Sequence, residues 1–175
     1  NFALFGATGG QLYIDGQAGD RFGVRNSGAV AVVEGVGDFC CEYMTNGSIV
    51  NLGSYGKGFG NGMSGGSAYQ YDPAHRLESL CSQDSVQAVR LNQDNLLAQG
   101  HEQALLWQLN THVTSTGSAK AQNLLDNWST ARDDFYFVIP RSLLIHHRSE
   151  SIKAAMTKKT MTDELSQALA LSSIR

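Results

Sequence analysis

Four glycines set the frame of this chain. Gly10, Gly28, Gly47 and Gly66 stand 18, 19 and 19 residues apart, and each opens a run of similar pattern. The runs are Gly10-Gln-Leu-Tyr-Ile-Asp-Gly16, Gly28-Ala-Val-Ala-Val-Val-Glu-Gly35, Gly47-Ser-Ile-Val-Asn-Leu-Gly53 and Gly66-Ser-Ala-Tyr. Two places after each opening glycine come Leu12, Val30, Ile49 and Ala68. Further glycines then mark turns, at Gly16 and Gly19, Gly35 and Gly37, and Gly53 and Gly56, and an aromatic follows at Phe22, Phe39 and Phe59. A fixed period of this length is one coil of a solenoid.

Seventeen of the nineteen glycines fall in the first 66 residues. A flexible linker would lack the apolar residues interleaved here: Leu12, Ile14, Val30, Val32, Val33, Ile49, Val50 and Leu52. Glycine with β-branched residues signals short strands and tight turns. Strands stacked coil on coil make parallel ladders with apolar side chains stacked inside, so the expected fold is mainly β. It is a right-handed parallel β-helix of about three or more coils of 18–19 residues. Row two carries one extra residue before its second glycine, which leaves its inward face open. The expected domains are a Gly-rich β-helix over 1–72 and an extension over 73–175.

The extension should hold one or two short strands within 79–91, then two or three helices. Ala104, Leu105, Trp107, Leu109 and Val113 recur at helical spacing over 101–115. Gly117 is a stop signal, and Ser118 an N-cap for a second helix from Ala119 to about Trp128. Trp107 and Trp128 are expected in the core between these helices. Phe135-Tyr-Phe-Val-Ile139 predicts a strand ended by Pro140, and residues from Ser151 to about Leu171 a terminal helix.

Chemistry is sparse. Net charge is −3, with 17% charged residues, which makes no electrostatic case for nucleic acid or an anionic membrane. No signal peptide is recognisable and no apolar run could span a bilayer, so the expected location is cytoplasmic. Cys40, Cys41 and Cys81 form no C-x-x-C pair and are expected to be buried free thiols. The sequons at Asn46 and Asn127 are then chance matches. Gly60-Asn-Gly-Met-Ser-Gly65 matches a dinucleotide fingerprint, but that motif must open a helix, and the residues after it look like a strand. His101-Glu102 begins a zinc-protease motif whose second histidine is replaced by Leu105. His146 and His147 are adjacent and diverge on either a strand or a helix. Arg25-Asn26-Ser27 and Glu42 occupy the third segment of their coils, where polar residues usually satisfy bends. No catalytic, cofactor-binding or metal-binding residue is assigned.

Several long runs resemble one family. They are Gly6–Gly10, Gly19–Gly35, Cys41-Glu-Tyr-Met-Thr45, Phe59–Gly66, His112-Val-Thr-Ser-Thr-Gly-Ser118 and Leu124-Leu-Asp-Asn-Trp128. Together they resemble the G-x-G-x-G domain that closes the glutamate synthase large chain, nearer the bacterial NADPH-dependent type, over residues 2–150. That resemblance implies a structural domain bracing the glutamine amidotransferase domain and the FMN/iron–sulfur synthase domain. The parent enzyme makes L-glutamate from L-glutamine and 2-oxoglutarate, with FMN and the cluster in its other domains. The chain alone is then expected to be non-catalytic, with the rest of the large chain as its partner. The family's β-helix has more coils, so the chain reads as starting mid-solenoid, with possible self-association through residues 2–5. Two alternatives are a free-standing β-solenoid interaction module and the β-helical subunit of another redox enzyme, such as formylmethanofuran dehydrogenase.

Overall fold

The computed structural model describes residues 2–146, 153, 154 and 156–159. Four short strands, β1 (Gln11–Tyr13), β2 (Ser27–Val33), β3 (Asn46–Asn51) and β4 (Ser67–Tyr71), pair in parallel, each with the next. They form one wall of a β-solenoid, and the turns between them form the rest of each coil.

Leu12 pairs with Ala31, Ala31 with Ile49, and Ile49 with Ala68. The inward column of row two is therefore Ala31, and Val30 is not in it. Val30 pairs instead with Gln11 and Ser48 on the opposite face. The reason is local. Gly10, Gly47 and Gly66 all sit at φ between 81° and 90°. Their counterpart in row two is Ala29, whose Cβ disfavours that conformation. The extra residue is taken up in an irregularity between Ser27 and Val30. Asn26, fully buried, holds it by accepting from the Gly28 and Ala29 N–H groups and donating to the Ala29 carbonyl.

The interior is packed by Ala31, Ile49 and Ala68 from the wall and by Phe22, Cys40, Met44, Phe59 and Met63 from the turns. Phe22 and Phe59 share a column with Cys40, because the Cys41 N–H donates to the Phe22 carbonyl and the Gly60 N–H to that of Cys40. Phe39 stands one place earlier, under the Arg21 guanidinium and the Lys57 ammonium at 5.7 and 6.0 Å. Inside the wall, Asn51 donates to Gln70 at 2.7 Å and Gln70 to the Gly53 and Tyr71 carbonyls, so this polar pair is satisfied.

The rest of the unit extends and covers that wall. After helix α1 (Leu77–Leu80) comes strand β5 (Val86–Arg90). Helices α2 (Leu96–Thr116), α3 (Ala119–Asp126) and α4 (Trp128–Ala131) and a 3-10 turn (Arg132–Asp134) lead to β6 (Phe135–Pro140). Strand β6 adds antiparallel to β4, and β5 to β6, giving a sheet of order β1-β2-β3-β4-β6-β5. The inner column thus continues from Ala68 to Val138 and Ala88. On the outer face, Tyr13, Val32, Val50, Tyr69, Phe137 and Val89 line up. Helix α2 touches this column at both ends. His101 stacks on Phe137 at 4.4 Å and meets the Tyr69 hydroxyl at 2.8 Å, and the His112 ring lies 6.1 Å from Tyr13.

Gly117 closes α2 at φ 73°, and Ser118 caps α3 by accepting from the Ala121 N–H. The buried face of α2 is Ala98, Leu105, Gln108, Leu109 and His112. Trp107 is 55% exposed, not in the core as hydropathy suggested, because two polar residues take the inward positions. Trp128 does pack inward, 5.4 Å from Phe135. A second compact unit covers Ser142–Arg175, in which residues 142–146, 153, 154 and 156–159 are helical. Most of the terminal helix expected from Ser151 lies outside the described residues.

Candidate functional site

The most distinctive backbone lies at one corner of the solenoid. In successive coils, alternate residues there adopt left-handed φ: Arg21, Gly23 and Arg25, then Phe39, Cys41 and Tyr43, then Gly58, Gly60 and Gly62. Leu4 and Gly6 begin the same pattern. The N–H groups alternate in direction. Arg21, Arg25, Phe39 and Tyr43 donate to carbonyls of the following coil, at Asp38, Glu42, Lys57 and Asn61. Gly23, Cys41 and Gly60 donate to the preceding coil, at Ala3, Phe22 and Cys40. Each corner is thereby bonded on both sides. The last corner is closed by residues 80–85: the Gly58 N–H donates to the Leu80 carbonyl and the Gly62 N–H to Ser85 Oγ. A methyl at Gly60 would lie 3.0 Å from Val86 Cγ1. The physical motif is therefore Gly58-x-Gly60-x-Gly62, a turn device preceding strand β4 with no helix start behind it.

A second cluster lies where α2 and α3 meet the wall. Glu34, directly after β2, accepts from His112 Nε2 at 3.1 Å and from the Ser118 hydroxyl. His112 is fully buried, and its Nδ1 has no hydrogen-bond partner. Burial pushes the Glu34 carboxyl upward, but the Ser118 and His112 hydrogen bonds, the imidazole charge and Asp15 outweigh it and leave the net shift downward. Ser118 gives its proton to Glu34, so the imidazole does not activate this hydroxyl as a nucleophile. The cluster fastens the α2–α3 junction to the second coil. Sequence reading found Ser118 as a cap and missed Glu34 and His112. The available signal was the spacing of Ala98, Leu105, Leu109 and His112 on one helical face.

The residues singled out from sequence are dispersed. Asn26 holds the β2 irregularity, while Glu42 accepts from Asn61 Nδ2 at 3.1 Å and lies 3.9 Å from Arg21. His101 belongs to the Tyr69–Phe137 stack, and burial lowers its pKa. Glu102 accepts from Trp128 Nε1 at 2.8 Å and pairs with Arg132 at 3.2 Å. His146 is exposed, and His147 lies outside the described residues. Cys40, Cys41 and Cys81 are free and buried, with the Cys40 and Cys41 sulfurs 3.6 Å apart. Among the described residues, no three His, Cys, Asp or Glu side chains are grouped to hold a metal ion, and no helix is long and apolar enough to cross a membrane.

Comparison with known proteins supplies the context. A family model described as "GXGXG motif" matches residues 1–141. The chain is 46% identical over 147 residues to a ferredoxin-dependent glutamate synthase of Antithamnion sp., covering 84% of this chain and 9% of that protein. It is 44% identical over 142 residues to ferredoxin-dependent glutamate synthase 2 of Synechocystis sp., and 43% over 143 residues to the glutamate synthase [NADPH] large chain of Bacillus subtilis, in each case 81% of this chain and 9% of the relative. The chain thus spans about a tenth of the length of the relatives it matches, and both electron-donor types match at similar identity.

Proposed function

This chain belongs to the GXGXG family, and on that premise we propose that it is a structural domain of a glutamate synthase large chain. In this reading it braces the glutamine amidotransferase domain against the FMN/iron–sulfur synthase domain of an enzyme that forms L-glutamate from L-glutamine and 2-oxoglutarate. The observation that carries the reading is how the motif is used. Its left-handed residues and their neighbours are spent on coil-to-coil hydrogen bonds, which makes a stiff spacer. The buried polar groups work the same way: Asn26 holds a bend, Asn51 and Gln70 bridge coils, and Glu34 fastens helices to the wall.

FMN and the cluster belong to other parts of the parent chain in this reading. The cysteines here are buried in packed positions, Cys40 and Cys41 within the apolar interior. The chain itself performs no catalytic step, and its location is cytoplasmic. Its partners are the remaining domains of the large chain.

The test uses the full-length large chain with Ile49→Asp, which places a charge in the solenoid interior. Coupled glutamate formation should fall sharply while glutamine hydrolysis survives in part. Unchanged coupled turnover, with this segment shown to be unfolded by limited proteolysis, would refute the bracing role.

A further inference from the structure

We propose that the outer flank of α2 is a docking surface, covered in the full-length glutamate synthase chain by a neutral face of the same polypeptide lying outside residues 1–175. The proposal rests on the reading above, that this chain is one domain of that enzyme.

A helix lying on a sheet normally turns charged residues to water. Helix α2 does not. Over its 21 residues Glu102 is the single Asp, Glu, Lys or Arg, and Glu102 is tied to Trp128 and Arg132. The solvent side instead presents Leu97, Gly100, Ala104 and Trp107 at helical spacing, with Leu96 beside them. Leu96 is 86%, Leu97 48% and Trp107 55% exposed. Polar residues farther along are already satisfied on the helix itself: Asn110 donates to the Leu106 carbonyl, Thr111 to that of Trp107 and Thr114 to that of Asn110. Covering such a surface strips water from few unpaired groups. An aromatic anchor beside small residues, with charge depleted, is the composition of an interface centre.

Area selects the occupant. Twenty-one helical residues extend about 31 Å, and a flank about 10 Å wide offers roughly 300 Å². A stable complex between free partners takes about 800 Å² from each side. This flank is too small to hold a second copy unaided. It suffices for a neighbour on the same chain, because covalent linkage makes the contact intramolecular and replaces a free partner's concentration with an effective one of up to about millimolar. The relatives supply such a neighbour, since the matched segment is 9% of their length. The mixed amide and apolar character also suits a contact between domains of one chain.

The experiment places a photoreactive benzophenone side chain at position 96 or 107 of the full-length enzyme, prepared as a mixture of isotopically light and heavy chains. Both positions are expected to crosslink to one common segment outside residues 1–175, in products carrying a single isotope label. Products within residues 1–175, including 142–175, products joining light to heavy chains, or no product above an unirradiated control would overturn the proposal. Glutamate formation by the unsubstituted full-length chain separates the two failures. An enzyme that makes glutamate but gives no such crosslink removes only the docking surface, whereas a full-length chain that makes no glutamate removes the functional reading.

Discussion

Ile49→Ala should cost about 4 kcal/mol of folding stability, toward the upper end of the range for emptying a buried aliphatic position. Ile49 is fully buried, and its column neighbours are Ala31 and Ala68, too small to fill the space. Across the interior its Cδ1 lies 3.3 Å from where a Cβ on Gly23 would be, so glycine backbone faces it and offers no side chain to move in. Three carbons lost at about 0.8 kcal/mol each give about 2.4 kcal/mol, and the unrelaxed cavity adds the remainder. In a chain of this size that corresponds to a fall in Tm of about 10 °C. Val30→Ala is the control, because Val30 is half-buried on the other face, and its cost should stay near 1 kcal/mol. Thermal unfolding followed by circular dichroism reads both variants. Equal losses, or a larger loss for Val30→Ala, would refute the register in which Ala31 stands beside Ile49.

Gly60→Ala should destabilise by about 2 kcal/mol, since φ is 72° and the new methyl meets Val86, and denaturant unfolding would measure it. Glu34→Gln removes the charged acceptor shared by His112 and Ser118, at a cost of about 1–3 kcal/mol, and hydrogen exchange should quicken over 110–126 before it does in β3. His101 carries a pKa lowered by burial, so the folded state favours neutral imidazole. Its contribution is complete above the unfolded value near 6.5 and is lost as pH falls through the lower folded value. His101→Gln should therefore flatten the decline of Tm below pH 6.5, and an unchanged slope would exclude His101 as its source.

The solenoid was legible because its period is written in residues whose backbone demands are strict. Gly10, Gly47 and Gly66 each mark a left-handed corner. The row that departs from the pattern is also the row where the register slipped. Ala29 replaces the corner glycine, and only the Asn26 hydrogen bonds show how the chain absorbs the extra residue. The motif itself was half hidden, because only the last corner holds glycine at all its left-handed places, 58, 60 and 62, while the earlier corners mix Gly6 and Gly23 with leucine, arginine, phenylalanine, cysteine and tyrosine. In α2 hydropathy misled. Gln108 faces the wall to bond Ser48, and His112 to bond Glu34, while Trp107 is turned outward. The spacing of His112 with Leu105 and Leu109 marks its face, but the partners sixty to eighty residues away that draw Gln108 and His112 inward leave no trace in a local period.

The irregularity at Ser27–Val30 also bears on how such a chain can change length. Its neighbours pair across it without disturbance, with Leu12 opposite Ala31 and Ala31 opposite Ile49. A single inserted residue is thus confined to one coil, provided a side chain such as Asn26 can satisfy the backbone it displaces. Between such sites, every column binds the coil above and the coil below at one fixed height. Lineages of this fold should then gain or lose residues in two sizes: single residues at bends that carry their own hydrogen-bonding side chain, and whole coils of 18 or 19 residues elsewhere. An odd number of residues inserted in a strand and not absorbed in this way would turn the wall inside out, setting Tyr13, Val32 and Val50 against the core and Leu12, Ala31 and Ile49 against α2.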